Sequence, residues 1–178
     1  SRSRARTSTP FTLHGGDNVT SSWDAYRDTS NTQWSQSTVV NLSKTTGGTT
    51  AKVCKATLSR IEVCNSAYGQ NGWLGLASIS ISGGTHITQG TAKMNDTYFA
   101  TSTYNNPNER EHVMCQEVTH TFGLDHQSTD GGALNTCMDY LSNTGANAGR
   151  TPATKPNAQD RPAPGITQRS TRRRGVAR

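Results

Sequence analysis

The feature that most constrains the fold of this chain is a short segment with the sequence QEVTHTFGLDH, which begins at Gln116 and ends at His126. On a helix, Gln116 and His120 lie one turn apart and share a face, while Glu117 is turned by about 100° from Gln116. Gly123 is free to adopt a positive φ, so it predicts the end of the helix and a turn that brings His126 back toward the same place. The spacing therefore predicts a cluster of polar side chains at the end of a helix.

Two histidines beside a glutamate favour a zinc site that activates water. Zinc is bound by imidazole nitrogens and lowers the pKa of its bound water to about 7. Glu117 is then the candidate general base, and Gln116, His120 and His126 are the candidate metal ligands. His112 is too far from His120 to share one ion with it, because eight helical residues span about 12 Å.

A second segment, with the sequence CMDY, contains Met138 and Tyr140. Together the two segments resemble the metzincin zinc metalloproteases, whose motif H-E-x-x-H-x-x-G-x-x-H is followed by a methionine-containing turn beneath the metal. The match holds at every defining position except the first, where this chain has Gln116. The order Met-x-Tyr is similar to that of astacins and serralysins, so the resemblance implies that Tyr140 is a metal ligand or a donor to the reacting oxygen.

Position 116 leaves three alternatives open. An amide oxygen matches zinc less well than an imidazole nitrogen does. Gln116 is therefore a weak third ligand, or Tyr140 fills its place, or the metal is lost and the domain is a pseudoprotease that binds peptides or a partner protein. Zn²⁺ is the cofactor that the resemblance implies, and a structural Ca²⁺ ion is compatible with it although the sequence does not show one.

The resemblance implies an α+β, matrixin-like zincin fold with a twisted mixed β-sheet, an active-site helix and a Met-turn. A cap at Asn106, a proline at Pro107 and the capping-box spacing of Glu109 predict that the active-site helix runs from Pro107 to Phe122. Periodicity predicts another helix over 19–34 and strands over 38–42, 60–63, 73–81 and 93–99.

The strand predicted over 73–81 changes its alternation near Ala77, which indicates a bulge. In matrixins a similar strand forms the sheet edge above the cleft. A peptide substrate can add to such an edge as an extended strand. The sequence therefore predicts a protein or peptide substrate, and the chain is expected to act as a secreted, monomeric endopeptidase.

The chain contains four cysteines, without the spacing of a metal-binding finger. An even number in a chain rich in Thr, Ser, Asn and Gly indicates two disulfides and an oxidising compartment, with three pairings open. We favour Cys54 with Cys64, across a predicted hairpin over 55–63, and Cys115 with Cys137, which joins the active-site helix to the Met-turn.

Charge divides the chain into three parts. Residues 1–6 carry +3, residues 7–149 carry −4 and residues 150–178 carry +7. We predict a flexible segment over 1–17, a metzincin-like domain over 18–141 and a basic, disordered tail rich in Pro and Arg over 142–178. The tail lacks aromatic interleaving, so it predicts no specific nucleic-acid binding, although attraction to polyanions remains an alternative. No apolar run is long enough to span a bilayer.

Overall fold

The computed structural model describes residues 10–130, 132–148 and 153–161. Within them the chain forms an α+β fold with one five-stranded mixed sheet and three α-helices. In chain order the elements are β1 (Phe11–Asn18), α1 (Ser21–Ser35), β2 (Val40–Thr46), β3 (Ile61–Ser66), β4 (Gly75–Ser82), β5 (His86–Asn95), α2 (Asp96–Phe99), α3 (Pro107–His120) and a 3₁₀ turn over Gly145–Asn147. None of the helices in these ranges is long and apolar enough to cross a membrane.

The sheet has the strand order β2-β1-β3-β5-β4. Its pairs are parallel except for β4, which runs antiparallel to β5 at one edge. Helix α1 packs against β2 and α3, and α3 packs against β4 and β5. The predicted strand over 73–81 is confirmed as an edge strand, but its register shift lies between Ser80 and Ile81 rather than near Ala77.

The flexible segment predicted over 1–17 is wrong for residues 11–17, which belong to β1 between β2 and β3. The pair Gly15–Gly16 is typical of a turn, yet here it forms the middle of a strand. A Cβ at Gly15 would overlap the guanidinium of Arg27 on α1, so a larger residue at this position would displace the arginine side chain. Residues 1–9 lie outside the described ranges.

Two local predictions are also wrong. Residues 51–60 form turns that lead into β3, so the segment closed by Cys54 and Cys64 is not a hairpin. The strand predicted over 93–99 ends at Asn95, and α2 follows. The Asn95 side chain accepts a hydrogen bond from the backbone N–H of Thr97, which caps α2 and ends the strand.

The predicted start of α3 is confirmed. The Asn106 side chain accepts from the Glu109 N–H at 2.8 Å, and Pro107 occupies the first turn. The helix ends at His120 rather than Phe122, with Thr121 as its C-cap. The Glu109 carboxylate does not complete a capping box, because it accepts hydrogen bonds from the backbone and side chain of Asn143 instead.

The core lies between the sheet and the helices α1 and α3. The indole N–H of Trp34 donates to the hydroxyl of Thr119 at 2.9 Å, which ties α1 to α3. Trp23 packs edge-on against Phe99 with ring centroids 4.8 Å apart. On α3, Met114 and Val118 are fully buried in the core, and Phe122, just after the helix, packs against it.

The disordered tail predicted over 142–178 is wrong for its first part. Asn143, Ala153 and Asp160 are buried against the domain. We call residues 153–161 the strap, and residues 136–140, which contain Met138, the Met-turn. The two are hydrogen-bonded through Lys155, whose carbonyl accepts from the Cys137 N–H at 3.1 Å. Residues 149–152 and 162–178 lie outside the described ranges.

Candidate active site

The C-terminal half of α3 presents the polar residues of the motif inside the protein rather than on its surface. Gln116, Glu117 and His120 are at most 9% exposed. Gly123 follows the helix with φ of 99°, a left-handed conformation that favours glycine. The chain then turns back, and the imidazole of His126 meets that of His120 with ring centroids 4.6 Å apart. The structure thus brings His120 and His126 together.

Both imidazoles have one nitrogen without a partner. The Nδ1 atom of His120 lies 2.8 Å from the carbonyl oxygen of Leu124, so it carries the proton and leaves Nε2 as an acceptor. The Nε2 atoms of His120 and His126 are buried and have no hydrogen-bond partner among the described residues. Burial lowers the pKa of His120, and burial together with the His120 ring lowers the pKa of His126 to about 4. Both rings are neutral near pH 7, as metal ligands must be.

Glu117 is fully buried beside the edge strand. Neither of its carboxylate oxygens has a hydrogen-bond partner in the described part of the chain. Burial raises the pKa of the carboxyl well above its usual range. The backbone N–H of Ala77 lowers this pKa in part, although it does not form a hydrogen bond with either carboxylate oxygen. A carboxylate in such surroundings is a stronger base than one in water, which suits the role of proton acceptor.

Gly75, the first residue of β4, allows the close approach between the edge strand and Glu117. A Cβ on Gly75 would lie 2.5 Å from Cγ of Glu117 and 2.7 Å from Cγ1 of Val113. Any larger residue therefore displaces the glutamate or the strand. The sequence analysis missed Gly75 as a site residue, since the glycine carries no chemistry and its role depends on packing across the sheet edge.

The amide of Gln116 is held by the Met-turn. Its Nε2 donates to the carbonyl oxygens of Cys137 and Asp139, each at 3.0 Å. Its Oε1 is buried and has no hydrogen-bond partner within the described residues. Two carbonyl acceptors fix which end of the amide is nitrogen, so the oxygen is the end that remains for another donor or a cation.

His112 lies one turn before Gln116 and is fully buried. Its Nδ1 donates to the carbonyl oxygen of Ala153 in the strap. Its Nε2 lies 3.4 Å from Nε2 of Gln116, a long contact with an amide whose two hydrogens already have acceptors. Burial lowers the pKa of His112, in agreement with a neutral, hydrogen-bonded side chain.

Met138 is fully buried and packs with the disulfide between Cys115 and Cys137. The turn is held to the segment after His126 by two backbone hydrogen bonds. The Gln127 N–H donates to the Met138 carbonyl at 2.8 Å, and the Tyr140 N–H donates to the Ser128 carbonyl at 2.9 Å.

Tyr140 stands at the side of His126. Their rings meet edge to face, with centroids 4.9 Å apart and planes at 76°. Tyr140 is partly exposed, unlike Met138. The contact places the tyrosine ring next to one of the candidate ligands.

Both predicted disulfides are confirmed. Cys54 is bonded to Cys64, and Cys115 is bonded to Cys137, with Cα–Cα separations of 6.0 and 5.9 Å. The second bridge lies directly before Gln116 on α3 and directly before Met138 on the turn. It therefore joins the two halves of the candidate site through adjacent residues.

No three side chains of His, Cys, Asp or Glu form a metal-binding group in the ranges that the structure describes. The candidate ligands are not three such side chains, because they are two imidazoles and one amide oxygen. Buried acceptors without donors cost free energy unless a cation or a donor neutralises them. The unpartnered atoms of Gln116, His120 and His126 therefore fit a zinc ion, with the amide oxygen as the weakest member.

No protein-family model matches this chain, and no curated protein is significantly similar to it in sequence. Inference about function therefore rests on the residues of the site and on their surroundings.

Proposed function

We propose that this chain is a zinc-dependent endopeptidase of the metzincin type, in which Glu117 is the general base. The observation that carries the proposal is the set of buried, unpartnered acceptor atoms on Glu117, His120 and His126, of which the two imidazoles are in contact. Acceptors in a purely structural core are normally paired. An unpaired set of this composition is typical of a site that binds a cation and moves a proton.

Gln116, His120 and His126 would hold the zinc ion, through Oε1 and the two Nε2 atoms. When bound, zinc supplies Lewis-acid chemistry, which polarises a carbonyl group and lowers the pKa of water. Glu117 takes a proton from the attacking water and later delivers it to the leaving amine, and burial, which raises the pKa of the carboxyl, makes it a stronger base for the first of these steps. Tyr140, beside His126, would donate a hydrogen bond to the oxygen that gains negative charge.

The edge strand β4 would hold the substrate. It pairs with β5 on one side, so the backbone groups of its other side are not used within the sheet. An extended peptide that adds to this side gains main-chain hydrogen bonds. The contact between Gly75 and Glu117 brings the start of β4 next to the proposed base, which is the proximity that hydrolysis of a peptide bond requires.

A peptide-binding pseudoprotease is the second candidate, and one observation favours it. The Gln116 amide is hydrogen-bonded to two Met-turn carbonyls, so it contributes to the structure without any metal. In this alternative the fold and the β4 edge are kept, and hydrolysis is lost. The two disulfides agree with an oxidising, extracellular location for either candidate.

Zinc stoichiometry and peptide hydrolysis, measured together, test the proposal. The full chain is expected to retain zinc after dialysis and to cleave quenched-fluorescence peptides. Glu117→Ala should keep zinc and lose hydrolysis, whereas His120→Ala should lose both. His86→Ala, at an exposed position in β5, is the matched control and should change neither. A wild-type chain without zinc, or hydrolysis that survives a strong chelator, contradicts the proposal.

A further inference from the structure

The strap ends in a buried carboxylate that the proposed reaction does not use. Asp160 is fully buried, although it lies in an irregular segment without helix or strand. Burying a carboxylate is costly unless donors surround it. The donors to Asp160 therefore show which parts of the chain this carboxylate holds together.

Three separate parts of the chain donate to Asp160. Its Oδ1 accepts from Nε2 of Gln127 at 2.9 Å. Its Oδ2 accepts from the hydroxyl of Thr136 and, at 2.8 Å, from the backbone N–H of Asn157. Hydrogen bonds to a charged acceptor are roughly twice as strong as those between neutral groups. Asp160 therefore fastens the strap to two other segments with the strongest bonds available there.

Gln127 connects Asp160 to His126. It is the next residue in the chain, and it is held at two points. Its backbone N–H donates to the Met138 carbonyl, and its side-chain amide donates to Asp160. A residue held at both ends leaves its neighbour little freedom in backbone direction. The orientation of the His126 imidazole therefore depends on the Asp160 carboxylate.

Thr136 connects Asp160 to the Met-turn in the same way. Its hydroxyl donates to Asp160 and accepts from the Met138 N–H at 3.1 Å. The hydroxyl can do both only when its proton points at an acceptor, which the carboxylate supplies. Neutralising or removing that acceptor frees the hydroxyl proton and weakens the position of Met138.

We propose that Asp160 is a positioning residue, which sets His126 and the Met-turn in the geometry that metal binding requires. Its side-chain donors are Gln127 and Thr136, and both also hydrogen-bond the backbone of Met138. This inference rests on the proposed zinc site. It adds a residue that touches neither metal nor substrate and acts through Gln127 and Thr136.

The test is the affinity of the full chain for Zn²⁺, measured by competition with a chromophoric chelator, together with the absorption spectrum of the Co²⁺-loaded protein. Asp160→Asn is expected to weaken zinc binding about tenfold, at the lower end of the range for partners beyond the ligands, and to shift the Co²⁺ spectrum. Gln127→Ala should have a similar effect. The double variant should be no weaker than the worse single variant, because both remove one connection.

Glu62→Gln is the matched control. Glu62 is also a fully buried carboxylate, but its partners include Asn18 and Arg60, on the other side of the sheet from the site residues. The Glu62→Gln variant should have a lower free energy of unfolding, with unchanged zinc affinity and an unchanged Co²⁺ spectrum. If Asp160→Asn does not fold, the test uses Gln127→Ala alone, because this variant leaves Asp160 its other two donors.

The possible results separate the two proposals. If the wild-type chain binds no zinc, the proposed function fails and the role of Asp160 fails with it. If the wild type binds zinc and the Asp160 and Gln127 variants bind it equally well, only the role of Asp160 is overturned. Equal losses of affinity in Glu62→Gln and Asp160→Asn would also overturn it, since they would reflect general destabilisation.

Discussion

The side-chain nitrogen of Gln116 donates a 3.0 Å hydrogen bond to the carbonyl oxygen of Cys137, the residue whose sulfur is bonded to Cys115. Cys115 and Gln116, which are neighbours on α3, thus both bind Cys137, the first through a disulfide and the second through a hydrogen bond from its amide. The amide nitrogen faces the turn, so any metal contact of Gln116 is made by its oxygen. This arrangement determines what substitutions at position 116 are expected to do.

Gln116→His should raise zinc affinity at least about tenfold, equivalent to about 1.4 kcal/mol, because imidazole is a better zinc ligand than an amide oxygen. The new ring can still donate from one nitrogen to a Met-turn carbonyl. Gln116→Glu is the informative contrast, since a carboxylate cannot donate to the carbonyls of Cys137 and Asp139 and should lower the free energy of unfolding by about 1–3 kcal/mol.

Chelator competition measures the affinities of these variants, and denaturant unfolding measures their stabilities. Zinc binding that is unchanged or weaker in Gln116→His would mean that position 116 does not face the metal. Unchanged stability in Gln116→Glu would mean that the amide does not hold the Met-turn.

Removing the disulfide between Cys115 and Cys137 by replacing both residues with alanine should lower the free energy of unfolding by about 2–5 kcal/mol and weaken zinc binding. The bridge holds the Met-turn against α3, so both properties depend on it. The Cys54 and Cys64 pair is the control, because its loss should lower stability alone. Peptide mapping without reduction checks the pairing first, and free thiols at all four positions would count against the predicted secreted location.

Gly75→Ala should impair hydrolysis far more than zinc binding. The added methyl group would lie 2.5 Å from Cγ of Glu117, so the general base moves while the ligands stay. We expect a stability loss of about 1–3 kcal/mol from overpacking. Ser78→Ala, at an exposed position on the same strand, should leave kcat, KM and zinc affinity as they are. Full activity in Gly75→Ala would show that Glu117 is not placed by its contact with β4.

Glu62 should make the stability depend on pH in the acid range. Burial by itself raises the pKa of this carboxyl, yet hydrogen bonds and the nearby Arg60 charge together lower the pKa below its ordinary 4.5. Because the folded pKa is the lower one, the stabilisation is fully present above about pH 4.5 and is lost as the pH falls through the folded value.

Glu62→Gln should therefore lower the free energy of unfolding near neutral pH, by about 1–3 kcal/mol. The difference from the wild type should shrink at acid pH. Urea denaturation of both proteins at about pH 7, 5 and 3 measures it. A difference that stays constant over this range would exclude Glu62 as the source of the pH dependence.

Local signals in the sequence predicted the parts of the fold that depend on neighbouring residues. Asn106 and Pro107 predicted the start of α3, since capping involves only the first turn of a helix. The pairing of Cys115 with Cys137 followed from their places beside the two motif segments, whereas Cys54 was paired with Cys64 across a hairpin that the structure does not form. The clustering of His120 with His126 followed from helix periodicity and from the positive φ of Gly123.

Elements that depend on distant contacts were not predictable in this way. The β1 strand contains the pair Gly15–Gly16, and only its pairing with β2 and β3 makes it a strand. The strap has no periodic pattern, because it is held by hydrogen bonds at a few separate residues, Ala153, Lys155 and Asp160. Composition favours disorder for such a segment, and burial of a few particular groups overrides it.

The strap also bears on the order in which the domain matures. A ribosome delivers the chain from its N-terminus, so α3, His126 and Met138 all emerge before Asp160 does. Until then the growing chain has the candidate ligands but lacks the carboxylate that holds their surroundings together. We therefore expect a nascent chain to bind zinc more weakly than the finished domain until the strap has been synthesised.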